Sequence, residues 1–326
     1  MHDVARLAGV SQMTVSRVMR ESGYISDSVR SEVYAAARKI GYVHNRLAGG
    51  ISAYENLLVG VVVPTLQNRV FTDVLSGISD TLDQSGLRPV FGVSEYSSEA
   101  EEELVFDLLS WRPRGIILPG LEHNDTVRQI VAQTGVRVAE FMDVDGEPMS
   151  ACFGVSHAKA GADMAKHLLD RGYRTFGYVA SQGGQDLRAI KRLEAFSAQI
   201  LSAGGQILER RLSDGPSSMV EGRRMTGEIL SGSDRPQALY YANDDLAAGG
   251  LMHCLAEGIS VPDEVAVAGF NGLEFLSALP LQITTTRTPR YEIGVAAAHW
   301  ISGDADAHAG AHAHEFEASI IVGDTT

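Results

Sequence analysis

Residues 9–18 read Gly-Val-Ser-Gln-Met-Thr-Val-Ser-Arg-Val, and this stretch decides the fold of the first part of the chain. The segment before it, residues 3–8, opens with an acidic residue, which favours a helix N-terminus, and stops at Gly9. Ser11 is a residue type that caps helices, and it predicts a second helix directly after it. Because only two or three residues separate the two helices, the chain must turn sharply between them. The pattern predicts a helix-turn-helix.

A third helix is predicted to start after Ser26 and to end at Gly41. Its apolar residues recur at positions i, i+4, i+7, i+8 and i+11, which places them on one helix face. This face closes a small core over the first two helices. The residues concerned are Val29, Val33, Ala36, Ala37 and Ile40.

The charge of the chain is unevenly distributed. The 326 residues carry a net charge of −14, which taken whole argues against nucleic-acid binding. Residues 1–50, however, hold seven Lys and Arg against four Asp and Glu, whereas the rest of the chain holds 20 against 37. A basic head on an acidic body indicates a small module that contacts phosphates, joined to a larger module with another task.

From residue 57 onward, short uninterrupted apolar runs alternate with segments of helical period. Strands of this kind are typical of parallel sheets covered by helices on both faces. Some 270 residues exceed one comfortable α/β core, so we expect two lobes, with the chain first crossing between them near residues 150–156. Ligands of such sheets bind beyond the carboxyl ends of the strands, here in the cleft between the lobes. The predicted strands are residues 57–63, 89–93, 116–118, 136–141, 176–179, 238–241, 265–268 and 283–286.

The sequence also bears on location, on the cysteines and on metal binding. No stretch approaches the roughly 18 apolar residues of a membrane span, and no export signal is recognisable, so we expect a cytoplasmic protein without a membrane partner. Cys152 and Cys254 have no Cys or His at ligand spacing, which predicts buried reduced thiols. Residues 304–314 hold three His among Ala and Gly, which favours a flexible linker over a metal site. No metal and no cofactor is expected.

The head motif extends further than the helix-turn-helix itself. Residues 9–18, with Asp3-Val-Ala before them and Gly-Tyr-Val-His-Asn-Arg-Leu-Ala at residues 41–48 after them, closely resemble the head of the LacI/GalR family of transcriptional repressors. The likeness continues through the body in Gly-Val-Val-Val-Pro at residues 60–64, Asn-Asp-Asp-Leu-Ala at residues 243–247 and Val-Ala-Gly-Phe-Asn at residues 267–271. It therefore covers essentially the whole chain.

The resemblance implies a small all-α helix-turn-helix head plus an α/β two-lobed periplasmic-binding-protein-like core. It implies a DNA-binding domain over residues 1–44, a hinge helix and linker over residues 45–56, and a core over residues 57–326. One lobe of the core is expected at about residues 57–154 and 287–314, and the other at about residues 155–286 and 315–326. Residues 64–71 and 140–143, with the Gln12-Met13 pair, look most like the gluconate-operon repressor subgroup.

Carried over by position, the resemblance implies that the second helix reads DNA. Gln12 and Met13 would face base edges, and Arg17 would lie one turn further on the same side. Arginine pairs with guanine through two hydrogen bonds, and glutamine does the same with adenine. Phosphate contacts, which fix the register without reading sequence, are implied for Thr14, Ser16 and Asn45.

The implied hinge helix covers residues 45–52 and touches the minor groove. Ala48 lies in it, and Ile51 occupies the position of an apolar wedge that unstacks a base step. Gly49 and Gly50 depart from the family's helix formers, and each costs roughly 1 kcal/mol of helix stability relative to alanine. We expect this hinge to be unfolded without DNA. The family's usual Thr cap before Asp3 is also missing, so a natural start several residues upstream is expected.

In the cleft, the resemblance implies an effector site whose chemistry suits a sugar acid. Arg192 would supply a planar fork for a carboxylate, while Asp143 and Asn243 would hydrogen-bond hydroxyl groups. Phe71 would cover the carbon face of the ligand. Ser156 and His157 stand where the family commonly has Asp-Asn, a departure that weakens the case for a contact from that loop. The remaining candidates are Thr65, Asn68, Asn271 and Arg287.

The function implied is that of an allosteric repressor and not of an enzyme. A homodimer would hold operator DNA, and a small effector such as gluconate would change the angle between the lobes and lower DNA affinity. The alternative is a sugar-binding protein or enzyme of two-lobed α/β fold without a role on DNA. A transport protein would need an export signal, and we find no nucleophile elbow, phosphate-binding glycine loop or metal-ligand spacing for an enzyme, so no catalytic residue is expected.

Overall fold

The computed structural model describes residues 1–19, 23–40, 42, 57–181, 185–303 and 312–326. The chain divides into two compact units, residues 1–55 and 56–326. Within the described ranges, no helix has the length and apolar character needed to cross a membrane.

In its described residues, the first unit contains three helices, α1 (His2–Ala8), α2 (Gln12–Met19) and α3 (Asp27–Lys39). Helix α1 ends at Gly9, whose left-handed backbone (φ 65°) is a conformation that glycine adopts without strain. Ser11 caps α2, because its Oγ accepts a hydrogen bond from the backbone N–H of Thr14 at 3.0 Å. The predicted cap and the short connection of three residues between the helices are both confirmed.

Small apolar side chains fill the core of this unit. Val4, Val15 and Val33 are each fully buried, and Val18 is almost so. Ile40 departs from the prediction, because its side chain is 45% exposed. Helix α3 ends one residue earlier, so Ile40 falls beyond the last turn and leaves the buried face.

The described residues of the second unit form two six-stranded sheets. In the first sheet all strands are parallel. Its order is β11 (His312–Glu315), β5 (Ala151–Gly154), β4 (Arg137–Phe141), β3 (Gly115–Pro119), β1 (Leu58–Val63) and β2 (Arg88–Val93).

The second sheet is parallel except at one edge, where the last strand runs antiparallel to its neighbour. Its order is β12 (Ser319–Ile321), β10 (Thr284–Arg287), β9 (Ala266–Asn271), β8 (Ala238–Tyr241), β6 (Thr175–Ala180) and β7 (Gln206–Leu212). Strand β11 therefore belongs to the first sheet and β12 to the second, and the chain passes between the lobes after β5, after β10 and between β11 and β12.

Helices cover both sheets, and several pack closely through glycine. Gly77 and Gly294 lie where two helices of the first lobe cross, and a Cβ at either position would meet the backbone oxygen of the other helix. The helices are α4 (Val70–Gln84), α5 (Ser98–Ser110), α6 (Asp125–Thr134), α7 (His157–Asp170), α8 (Leu187–Ser202), α9 (Met219–Leu230), α10 (Asp244–Glu257) and α11 (Arg290–Ser302), with a 3-10 helix at Glu274–Ala278.

Each apolar run in the sequence overlaps an observed strand, but β5, β7, β11 and β12 were not predicted. The linker expected at residues 304–314 is wrong for residues 312–314, which lie in β11 and pair with β5. The His312 ring stacks on Trp300, with centroids 5.9 Å apart and planes 7° apart, and this contact supports an otherwise exposed strand. Residues 304–311 lie outside the described part of the chain.

A charged cluster is buried in the first lobe beside β4. His123 Nδ1 lies 2.5 Å from Glu101 Oε1, and His123 Nε2 lies 3.5 Å from Glu140 Oε1. Burial alone lowers the pKa of His123, but the hydrogen bonds and charges of the two glutamates outweigh burial and raise it to about 9. The histidine is therefore charged at neutral pH.

Candidate functional site

The exposed face of α2 carries the residues predicted to read DNA. Gln12 and Arg17 are exposed, and Met13 is 65% exposed although it is apolar. Thr14 and Ser16 are half-buried beside them. Asn45, Ala48 and Ile51, predicted to contact DNA from the hinge, lie outside the described residues.

The chemistry of this face suits a nucleic acid. Helix α2 contains no acidic residue, so the amide, hydroxyl and guanidinium groups are not opposed by a carboxylate on the same helix. Amide and guanidinium groups are the side chains that pair with base edges, and hydroxyls contact phosphates. The helix is anchored from behind by its buried valines, which leaves the polar face free.

A cavity of about 30 Å³ lies at the boundary of the two lobes, where the carboxyl ends of strands from both sheets meet. This is the position at which parallel α/β sheets bind ligands. Its volume accommodates about one water molecule. The lining residues are Asn68, Val70, Phe71, Tyr96, Met142, His157, Asp186, Arg188, Arg192, Ala242, Asn243, Phe270 and Asn271.

The structure brings most of the predicted effector residues together here. Those that line the cavity are Asn68, Phe71, Arg192, Asn243 and Asn271. Thr65 lines a smaller adjoining space. Asp143 and Arg287 are not among the lining residues: Arg287 is exposed and faces a separate groove of about 1060 Å³.

Asp143 is committed to an ion pair between the lobes. Its carboxylate is fully buried, and Oδ2 lies 2.6 Å from Lys191 Nζ on α8 of the second lobe. The same Nζ lies 2.5 Å from Glu122 Oε1, which belongs to the first lobe. Burial raises the pKa of Asp143, and the hydrogen bond from Lys191 opposes this shift. Lys191 therefore ties the two lobes together through two carboxylates.

Arg192 is buried and already has several partners. Its Nη1 donates to His157 Nδ1 at 2.8 Å, its Nη2 donates to the Ala242 oxygen at 2.9 Å, and its guanidinium lies 3.9 Å from the centroid of the Phe270 ring. His157 Nε2 donates to the Met142 oxygen at 2.7 Å. Burial, followed by the charge of Arg192, lowers the pKa of His157 far below its usual value, so the ring is neutral and its Nδ1 accepts from the arginine.

Three non-glycine residues of the cavity have left-handed backbone conformations. Tyr96 has φ 60°, Met142 has φ 72° and Asn271 has φ 118°. Such conformations are costly and cluster at ligand sites. Sequence reasoning missed Tyr96 and Met142, and since neither is glycine, no residue type signalled the turn.

Arg188 was also missed, although a signal was present. It precedes Arg192 by four residues on the same helix, a spacing that places both side chains on one face. Its guanidinium lies 5.9 Å from the centroid of the Phe71 ring, and its Nε lies 3.6 Å from Asp186 Oδ1. The cavity therefore has two arginines on its wall.

Two family models match the chain. Bacterial regulatory proteins of the lacI family match residues 1–45, and a periplasmic binding protein-like domain matches residues 165–326. The first covers the helix-turn-helix unit, and the second covers most of the lobe that contributes α8 and both arginines.

Individual proteins match over most of the chain. The HTH-type transcriptional regulator GntR of Pseudomonas aeruginosa is 34% identical over 91% of this chain and 87% of its own length. A solved structure of a LacI family transcriptional regulator from Silicibacter pomeroyi is 41% identical, with a TM-score of 0.93 over 99% of this chain and 98% of that one. The structure of transcription regulator GntR from Chromobacterium violaceum is 34% identical, with a TM-score of 0.75 over 82% of this chain and 98% of that one. The chain therefore belongs to the LacI family and is a DNA-binding transcriptional regulator, not an enzyme.

Proposed function

We propose that this regulator represses a sugar-acid utilisation operon and responds to gluconate or a related aldonate. The observation that carries the proposal is the composition of the cavity wall, which combines guanidinium groups, side-chain amides and one aromatic ring. A linear sugar acid has a carboxylate, a row of hydroxyls and a carbon face. Each of these features has a matching side chain.

The amides account for hydroxyl recognition. Asn243 Nδ2 donates to Ser217 Oγ at 2.6 Å, and its Oδ1 caps α10 through the N–H of Leu246. This double anchoring fixes the amide at the cavity wall, and a fixed polar group selects a ligand by its orientation. Phe71 lies against the aromatic ring of Phe141 edge to face, with centroids 6.4 Å apart, and presents a rigid apolar surface for the carbon chain.

On DNA, the proposed contacts follow the exposed face of α2. Gln12, Met13 and Arg17 read base edges, and Thr14 and Ser16 contact phosphates. From the sequence alone, Asn45, Ala48 and Ile51 are proposed to contact the backbone and the minor groove. Two heads of a homodimer engage the halves of a near-palindromic operator.

The response to ligand is proposed to run through the boundary between the lobes. A cavity that holds about one water cannot take a sugar acid unless the lobes shift. A ligand that binds one lobe arrangement better shifts the population toward it, and linkage requires DNA and effector to weaken each other equally. The likeness of residues 64–71 and 140–143 to the gluconate-operon repressor subgroup supports a sugar-acid response.

Calorimetry on the full chain tests this function. The ligands are gluconate, related aldonates, their phosphates and neutral sugars. We expect saturable binding of at least one sugar acid with affinity at least tenfold above that of glucose. Preference for a neutral sugar over every acid would contradict the proposed effector class.

A further inference from the structure

Three cationic side chains lie on the first two turns of α8, Arg188, Lys191 and Arg192, and both arginines line the cavity. Two of them are already neutralised or occupied. Lys191 Nζ is shared between Glu122 and Asp143, at 2.5 and 2.6 Å. Two of the three guanidinium nitrogens of Arg192 donate hydrogen bonds, one to His157 and one to the Ala242 carbonyl.

Arg192 is also enclosed by the protein. It is 4% exposed, and its planar group is stacked on the Phe270 ring. Two of its five N–H donors are engaged by His157 and the carbonyl, and its buried Nε has no hydrogen-bond partner among the described residues. Shifting the group to meet a carboxylate with both Nη atoms would disturb these two contacts and leave buried polar groups unpaired, which is costly. These contacts make Arg192 a fixed part of the cavity wall.

Arg188 is differently placed. Among the residues that the structure describes, its ion-pair partner is Asp186, at 3.6 Å from Nε, beyond a normal hydrogen bond, and the charges of Asp143 and Glu122 act on it from further away. Its side chain is 11% exposed and lies between the cavity at the lobe boundary and a neighbouring cavity of about 110 Å³. Its guanidinium stands over the Phe71 ring, the surface proposed to cover the ligand's carbon chain.

We propose that Arg188, rather than Arg192, binds the carboxylate of the effector and sets the preference for an acid over a neutral sugar. Arg192 is a positioning residue that holds His157 and Phe270 in place. A planar fork with both Nη groups available matches a carboxylate through two parallel hydrogen bonds. This assignment rests on the proposed sugar-acid function and identifies the residue that makes it selective.

The test compares gluconate with gluconamide, which has the same shape without the charge. Calorimetry, with competition where binding is weak, gives the gluconate-to-gluconamide affinity ratio for the wild-type chain and for variants. In Arg188→Gln, gluconate affinity falls about tenfold or more, as expected for loss of a charge-assisted pair, while gluconamide affinity stays within about twofold. Arg188→Lys recovers part of the ratio. In Arg192→Lys, both ligands weaken together and the ratio is kept.

Arg211→Gln is the matched control, because it removes an exposed cation from the same lobe and leaves the cavity untouched. Its ratio equals that of the wild type. An Arg188→Gln protein that keeps the wild-type ratio overturns the assignment and leaves the proposed function standing. A wild-type ratio near one overturns both. If the gluconate-to-gluconamide affinity ratio falls in Arg192→Lys but stays at the wild-type value in Arg188→Gln, the carboxylate is bound by Arg192 instead.

Discussion

The ion pair between Lys191 and the first lobe is expected to stabilise the closed arrangement of the two lobes, and removing it tests this directly. Lys191→Met removes the ammonium group and keeps a side chain of similar length. The carboxylates of Glu122 and Asp143 then lose their partner on the second lobe, and Asp143 retains the backbone N–H of Asp145 at 2.9 Å. Because the partners lie on different lobes, the substitution destabilises only the closed arrangement, in which the lobes are in contact.

The size of the effect follows from burial. Breaking a fully buried ion pair costs about 3 to 5 kcal/mol, whereas an exposed pair contributes about 0 to 1 kcal/mol. Asp143 is fully buried, but the Lys191 side chain is 19% exposed and that of Glu122 is 37% exposed. An intermediate value of about 2 kcal/mol lowers the ratio of closed to open cores by roughly 30-fold.

Spin labels on opposite lobes measure this ratio. Asp107→Cys on α5 and Ser202→Cys at the end of α8 place labels at exposed positions. The natural Cys152 and Cys254 are both buried and do not compete for labelling. Pulsed electron paramagnetic resonance gives the distance distribution between the labels. We expect a longer-distance population to grow in Lys191→Met.

Lys166→Met is the control, since Lys166 is exposed on α7 of the same lobe. Its distance distribution matches that of the wild type. Identical distributions in Lys191→Met and the wild type would refute the reasoning. So would a coupling energy near zero in a double-mutant cycle of Lys191→Met with Asp143→Asn.

Three further outcomes are expected. Arg17→Ala lowers operator affinity by about 1 to 3 kcal/mol and barely changes binding to random DNA, whereas Thr14→Ala weakens both alike; equal losses for Arg17→Ala in a fluorescence anisotropy titration would count against base reading. The raised pKa of His123 adds up to about 3 kcal/mol of stability that is complete below pH 6.5 and lost as pH rises through about 9; urea unfolding shows this loss in the wild type, and His123→Gln flattens it. Gly161→Ala places a Cβ against the backbone oxygen of Arg192, so it separates α7 from α8 and lowers thermal stability by about 1 to 3 kcal/mol, and an unchanged melting temperature would disprove the close approach.

The parts of the fold that were predicted correctly have local causes. The turn at Gly9 and the cap at Ser11 each depend on one residue and its immediate neighbours, so sequence suffices to predict them. The central strands are buried on both faces and therefore have uninterrupted apolar sequences. Strands β11 and β12 are exposed edge strands whose pairing is decided by distant partners. The sequence of β11 is polar and β12 is only three residues long, so neither carries such a signal.

The candidate site was predicted only in part, for a related reason. Family resemblance assigned positions to the cleft, but the pairing of side chains across the lobes depends on tertiary structure. Asp143 therefore lies at the boundary between the lobes as predicted, but it forms an ion pair with Lys191 and does not line the cavity. The partners of Arg192 likewise depend on tertiary structure, because His157 is held by the Met142 carbonyl of the other lobe and Phe270 lies on a distant strand, β9.

Release of the regulator from operator DNA by a sugar acid tests the account most directly. The protein is bound to fluorescent operator DNA and titrated in parallel with gluconate, with related aldonates and with glucose, at fixed salt because phosphate contacts make affinity salt-dependent. We predict that gluconate lowers the anisotropy to that of free DNA while glucose at the same concentrations leaves the complex intact. Release by glucose as effective as release by gluconate, or no release by any aldonate, would contradict the account.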